Sequence, residues 1–345
     1  MKMKHSFFLI TSKSENFSLE ISAKEKNFPW LFSQSLLFLR QDNMFYLKMK
    51  LKMNNKPGLW IVLMSCLLVI TSCNVDNRKI VYTSETAVAI SDTLLETHVV
   101  KHTFKDGVGV IVLDKECNKI PDKAFFESSI ETITLPPSIQ YIGQEAFYFS
   151  KKLKKVNIPY SGCLEIGNSA FAGCAELNKI DLPNSLSRIG IAAFSGCNKL
   201  DSIILPSSIN SIGGSAFADC QHLKVIRIFC QIDSIQPYSF FVCSSLEDIC
   251  IPESVSFLGE SSFAGCRSIR QITIPNKVTV ITDHLLFDCQ SLESVTILGE
   301  ITSIEDYAFF GCSKLQTIFM NNRVDSIGYK AFGGCDNLLS TNFKQ

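Results

Sequence analysis

From Cys117 onward, apolar positions return with one fixed period. Cysteines stand at Cys174, Cys197, Cys220, Cys243, Cys266, Cys289, Cys312 and Cys335, each 23 positions after the last. Three residues before each lies an aromatic ring or a leucine: Phe171, Phe194, Phe217, Phe240, Phe263, Leu286, Phe309 and Phe332. Two earlier copies, at Ala124-Phe125 and Ala146-Phe147, carry Ser128 and Ser150 in place of the cysteine. Ten copies therefore run from about Cys117 to Leu338, with one residue missing near Ser129 and one extra near Gly162.

A single copy, Leu200 to Cys220, predicts the elements of each coil. Ile203 and Leu205 alternate with Ile204, the period of a strand with one buried face. Pro206 and the serines behind it end that strand, because proline has no N–H for a central ladder and serine favours turns. Ile209 and Ile212 predict a second short extended piece facing inward, and Gly213 permits a tight bend. Ala216, Phe217 and Cys220, at i, i+1 and i+4, predict one helical turn on the outer side. A unit this short cannot bury its own apolar face, so neighbours must stack. The expected fold is a mainly β repeat solenoid with a parallel sheet, roughly 45 Å long at ~4.8 Å per strand. Lys79 to Glu116 holds the hairpin-like turn Lys105-Asp106-Gly107-Val108-Gly109 and is expected to cap the amino end. Leu338 to Gln345 leaves a short carboxyl end.

Ahead of the array, Lys50, Lys52 and Lys56 precede the apolar run Leu59 to Ile70, followed by Thr71-Ser72-Cys73. This is the anatomy of a secretory signal. Through Ser72 the run has 14 residues, too short to cross a ~30 Å hydrocarbon core comfortably. Val69-Ile70-Thr71-Ser72-Cys73 resembles the lipobox of bacterial lipoproteins, which makes Cys73 the expected lipidated first residue of the mature chain. The alternative is an ordinary cleaved signal followed by a polar linker, Asn74 to Arg78; both readings export the protein. The expected organisation is a non-native upstream extension over 1–48, in which Trp30 to Arg40 could form a short helix. The signal peptide follows over 49–72, then linker and cap over 73–116 and repeats over 117–345.

The unit Ile-Gly-x-x-Ala-Phe-x-x-Cys-x-x-Leu-x-x-Ile-x-Ile-Pro resembles the BspA-like leucine-rich repeats of bacterial surface proteins over about two-thirds of the chain. His102-Thr103-Phe104-Lys105-Asp106-Gly107-Val108-Gly109-Val110-Ile111 is similar to the segment that introduces such arrays in gut anaerobes. The resemblance implies a right-handed, leucine-rich-repeat-type stack of ten coils with short helical turns outside. It also implies a cell-surface protein, in a family where some members bind host matrix proteins or other cells, and it brings no catalytic residues. Phe229-Cys230, Leu298-Gly299 and Met320-Asn321 depart from the pattern and are expected to alter the local turn.

Composition narrows the function. The chain is 46% hydrophobic and 19% charged, and 33 Lys plus Arg balance 33 Asp plus Glu. No basic excess marks a nucleic-acid partner, and a membrane is expected to be engaged through the lipid anchor only. The eight periodic cysteines invite disulfides in an exported protein. However, equivalent cysteines of successive coils have parallel Cα–Cβ vectors and Cβ atoms farther apart than the ~3.8 Å of a bridge. A ladder of buried thiols acting as small hydrophobes is expected instead. Cys117, Cys163, Cys230 and Cys250 lie elsewhere in their coils and define no pair. The chain has no Cys-x-x-Cys, and His5, His98, His102, His222 and His284 are scattered surface or rim positions, so no metal is expected. The serines recur as turn residues and no glycine-rich phosphate loop exists, so neither an enzyme nor a cofactor is expected.

The remaining chemistry is recognition. Alternation turns Lys155 and Asn157, and their equivalents as far as Thr317 and Phe319, outward on the sheet, and in solenoids the concave sheet commonly presents the partner site. Ile204, Val225 and Arg227 would form an apolar patch with an arginine beside it, the composition of interface hot spots. The expected function is a lipid-anchored adhesion module that binds a protein or another macromolecular surface ligand. The alternative is a periplasm-facing or structural lipoprotein scaffold.

Overall fold

A computed structural model describes residues 76–90, 97–160, 162–321 and 323–339. The chain divides into two compact units, Met1–Asn74 and Val75–Gln345, and every described residue belongs to the second. The signal, the lipidation site Cys73 and the Trp30 to Arg40 segment lie outside the described residues.

The array is a β-solenoid with two rows of parallel strands. The longer row comprises Ile130–Thr134, Lys155–Asn157, Lys179–Ile180, Ser202–Leu205, Val225–Ile228, Asp248–Ile249, Gln271–Ile274, Ser294–Ile297 and Thr317–Phe319. The shorter row has ten two-residue strands among the described residues, from Lys119–Ile120 to Ser326–Ile327. Pairing joins each residue to its equivalent in the next coil, as in Ser202 to Val225 to Asp248 and Arg188 to Ser211. The alternation of Ser202–Leu205 appears as exposed, buried, exposed, buried, so Ile203, Ile226, Ile249 and Ile272 form one apolar ladder inside. Beside it the phenylalanines stack. Ring centroids lie 5.5 Å apart between Phe194 and Phe217 and 5.7 Å between Phe217 and Phe240, and Leu286 replaces one ring.

The corner carrying Ala-Phe-x-x-Cys is not helical. Its residues alternate between two hydrogen-bonding partners. The N–H groups of Ala170, Ala172 and Cys174 donate three residues back, to Gly167, Ser169 and Phe171. Those of Ser169, Phe171 and Gly173 donate instead to Ile191, Ala193 and Ser195 in the next coil. A helix would spend every N–H within its own turn; here half of them tie coil to coil. The alternation needs left-handed residues, and Ser169 (φ 52°) and Gly173 (φ 72°) supply them. The expected helical turn is therefore a run of tight turns, and the i, i+1, i+4 spacing of Ala216, Phe217 and Cys220 fits both.

Gly213 also has a different reason from a bend. Its φ is not left-handed. A Cβ there would collide with the backbone N of Ile191 and lie 2.7 Å from the carbonyl carbon of Gly190, so glycine is required by the close approach of the preceding coil. At the departures from the pattern, loss of proline adds a rung: Phe229 N–H donates to the Leu205 carbonyl and Leu298 N–H to that of Ile274, both at 3.1 Å.

The amino end is closed by three antiparallel strands, β1 (Lys79–Ser84), β2 (Val99–Lys105) and β3 (Val108–Leu113). Asp106 and Gly107, both left-handed, make the two-residue hairpin turn between β2 and β3. β1 pairs with β3 on one side and with Ile130–Thr134 on the other, so Ile80, Tyr82, Ile111 and Leu113 cover the end of the core. Tyr82 is fully buried, stacks on Phe104 and hydrogen-bonds His102 Nε2 at 2.8 Å through its hydroxyl. His102 is thus part of the cap's packing rather than an open rim residue.

Candidate functional site

Two sets of residues singled out by the sequence can be placed. The first is the thiol ladder. Cys174, Cys197, Cys220, Cys243, Cys266, Cys289 and Cys312 are buried free thiols, and Cys335 is half-buried. Each Sγ donates to a carbonyl of the preceding coil at the ring position: Cys174 to Phe147 at 3.1 Å, Cys220 to Phe194 at 3.2 Å, Cys312 to Leu286 at 3.2 Å. Ser150 makes the same bond with its hydroxyl, to Phe125 at 2.7 Å. The residue type recurs because the position asks for a small side chain with one donor. Burial pushes the thiols of Cys163, Cys220 and Cys289 up to about 12 and those of Cys197, Cys243 and Cys266 well above the ordinary range. Such thiols stay protonated and are poor nucleophiles and poor metal ligands. Among the described residues no group of three His, Cys, Asp or Glu side chains could hold a metal ion.

The second set is on the solvent face of the longer row. Ile204 is 59% exposed and pairs in register with Arg227, while Val225 pairs with Ser202. All three side chains therefore lie on one face of adjacent strands, with Val225 partly covered. Arg227 Nη1 also reaches Asp248 Oδ2 at 3.0 Å, an exposed pair of small energetic weight. Its guanidinium is thereby held along the strand row, toward the following coil. Next to Asp248 opens a polar groove of about 620 Å³ lined by Glu247, Arg270, Glu293 and serines. Cys250, in the coil after Arg227, is an exposed free thiol.

Sequence reasoning passed over a third feature. On the corner side, His284 stacks on Tyr307 at 5.0 Å, Phe287 on Phe310 at 5.3 Å, and Tyr307 meets Tyr329 edge-on. His284 and Tyr307, like Phe287 and Phe310, stand one after another because their positions recur with the coil, at the same 23-residue spacing that revealed the cysteines, and Tyr329 joins them from one position short of that repeat.

The family model for the BspA type leucine rich repeat region matches residues 118–247 and 233–345, in six copies. The chain belongs to this family. A leucine-rich repeat protein from Bacteroides ovatus is similar at 26% identity over 69% of this chain and 72% of that one, with a TM-score of 0.46. A leucine rich cell surface protein from Faecalibacterium prausnitzii is 20% identical over 66% of this chain and 85% of that one, with a TM-score of 0.27. The pneumococcal vaccine antigen PcpA is 17% identical over 68% of each chain, with a TM-score of 0.40. No curated protein matches the chain. The BspA-type repeats account for the whole array, and they assign no reaction to any residue in it.

Proposed function

We propose that this protein is an exported, lipid-anchored binding module of the cell surface rather than an enzyme, and that it holds a macromolecular partner on the solvent face of the longer strand row. Cys73 carries the anchor in this reading, and Ile204, Val225 and Arg227 carry the contact. The observation behind it is the register pairing of an exposed isoleucine with an arginine on a face that is otherwise mostly polar. A solvent-facing strand position gives folding no reason to be this apolar, whereas interface hot spots favour such an anchor beside an arginine. Exposure on the cell surface gives the face access to a partner, and the wet, wide sheet suits a protein surface better than a small molecule.

The test is a triple change, Ile204→Ser, Val225→Thr and Arg227→Gln, in cells that display the protein. Stability should stay within about 1 kcal/mol, as surface substitutions usually do. Attachment of the cells to a surface coated with extracellular matrix proteins should weaken. Unchanged attachment with unchanged folding retires the patch. Protection of the protein from protease on intact cells would place it inside and overturn the surface reading.

A further inference from the structure

The six-stranded sheet at the amino end carries a charge imbalance that no folding contact uses. Its strand order is β2, β3, β1, Ile130–Thr134, Lys155–Asn157, Lys179–Ile180, so the cap and the first coils share one solvent face. The register sets out its rows. Lys101, Val112 and Lys79 form one, and Thr103, Val110, Val81, Thr134 and Asn157 the next. The third runs Lys105, Val108, Thr83, Thr132, Lys155, Lys179. Lys105 and Lys155 are four strand steps apart in that row, roughly 19 Å.

Four acids on or beside this face are already matched, and Asp106 in the β2–β3 turn is not. Asp76 pairs with Lys79 at 3.3 Å, Glu131 with Lys154 at 2.8 Å, Glu85 with Lys152 at 2.7 Å and Asp181 with Lys179 at 3.5 Å. Lys101, Lys105 and Lys155 are exposed and make no ion pair among the described residues, not even with Asp106 in the neighbouring turn. Farther along the face, Arg227 has Asp248. Three unmatched lysines thus gather at one end, around valines that are partly open to solvent.

We propose that this end of the face docks an acidic protein surface, with Lys101, Lys105 and Lys155 meeting its carboxylates and Val81 and Val108 its apolar atoms. The inference rests on the reading that the longer-row face binds a partner, and it names the chemistry of that partner. Charge complementarity selects an acidic surface. The valines select a protein over a sulfated polysaccharide, which would leave them wet. The same face continues to Ile204 and Val225, so a lipid surface lying on the lysines would cover the remainder of the site.

The experiment uses full-length protein in neutral detergent and fluorescein-labelled poly-L-glutamate, followed by anisotropy. Binding should weaken steeply with added salt. Lys101→Gln, Lys105→Gln and Lys155→Gln together should weaken it about tenfold, the scale of three exposed ion pairs, with no change in melting temperature. The control set Lys224→Gln, Lys277→Gln and Lys314→Gln removes equal charge elsewhere and should change affinity less than about twofold. Equal weakening in both sets, or tighter lysine-dependent binding to dextran sulfate or phosphatidylglycerol vesicles than to poly-L-glutamate, overturns the proposal. If the Ile204, Val225 and Arg227 variant leaves attachment unchanged while poly-L-glutamate binding still depends on the three lysines, the Ile204 patch falls and the acidic-partner inference stands. If attachment depends on that patch while poly-L-glutamate ignores the lysines, only this inference falls.

Discussion

Phe217→Ala is the sharpest probe of how stability is distributed. The ring is fully buried and lies between Phe194 and Phe240, at 5.5 and 5.7 Å. Removing it gives up about 1.5 to 3 kcal/mol of transfer free energy and the extra attraction of two aromatic neighbours, about 0.5 to 1.5 kcal/mol each. The backbone of the corner is pinned to both adjacent coils, so it cannot collapse into the gap, and the total should reach about 3 to 5 kcal/mol. Because each coil touches only its neighbours, the loss should be local. Hydrogen exchange should accelerate in the coils around Leu200 to Leu246 and fade within a few coils either way. Phe332, which stacks on Phe309 and is half-buried near the carboxyl end, should cost less than half as much when truncated. Exchange that rises uniformly from Ile133 to Ile327, or equal costs at the two positions, would show a single cooperative globule and refute the reasoning.

Four further outcomes are expected. At pH 8 the folded protein should alkylate at Cys250, which is exposed, but not at Cys163, Cys220 or Cys289, which burial holds at about 12; mass spectrometry showing bridges such as Cys197 to Cys220 would contradict the ladder. Those thiols bind protons more tightly folded than unfolded, so their stabilisation is complete below about pH 9 and falls by about 1.4 kcal/mol per pH unit per thiol on the way to 12, a slope that Cys220→Ser should reduce in denaturant titrations. Val242 is a β-branched residue held at φ 57° where five of the ten copies place glycine; Val242→Gly should raise stability by about 0.5 to 1 kcal/mol, and a loss would mean its side chain packs better than its backbone suffers. Cys73→Ala should abolish palmitate incorporation and release the protein, and equal labelling of both forms would sink the lipoprotein reading.

The sequence made most of the coil legible because repetition multiplies a weak signal. One Ile-x-Leu could be a strand or part of a helix, but nine equivalents with proline or a turn behind them define a strand row. The corner was misread for a physical reason. Left-handed φ at Ser169, Ala192, Tyr238 or His284 leaves no mark when the residue is not glycine, so the spacing of Ala, Phe and Cys looked helical. The lysine face was illegible because Lys101 and Lys105 meet Lys155 only through the antiparallel register of the cap. By contrast Ile204, Val225 and Arg227 are separated by simple alternation and one repeat length, so their common face could be read directly.

The shared N–H groups of the corner also make length a quantised property. A residue there points its donor alternately to its own turn and to the next coil, so a deletion of one residue inside the corner would swap the two roles for everything behind it. The coils that differ from 23 residues, Lys119 to Tyr141 with 22 and Tyr141 to Glu165 with 24, leave the Ala-Phe corner intact. Loops can thus absorb single residues, but the array itself lengthens or shortens by whole coils. Each coil added brings one more row of two outward side chains and leaves every existing row in place. Its reach along a partner is therefore set by counting coils, like the rungs of a ladder.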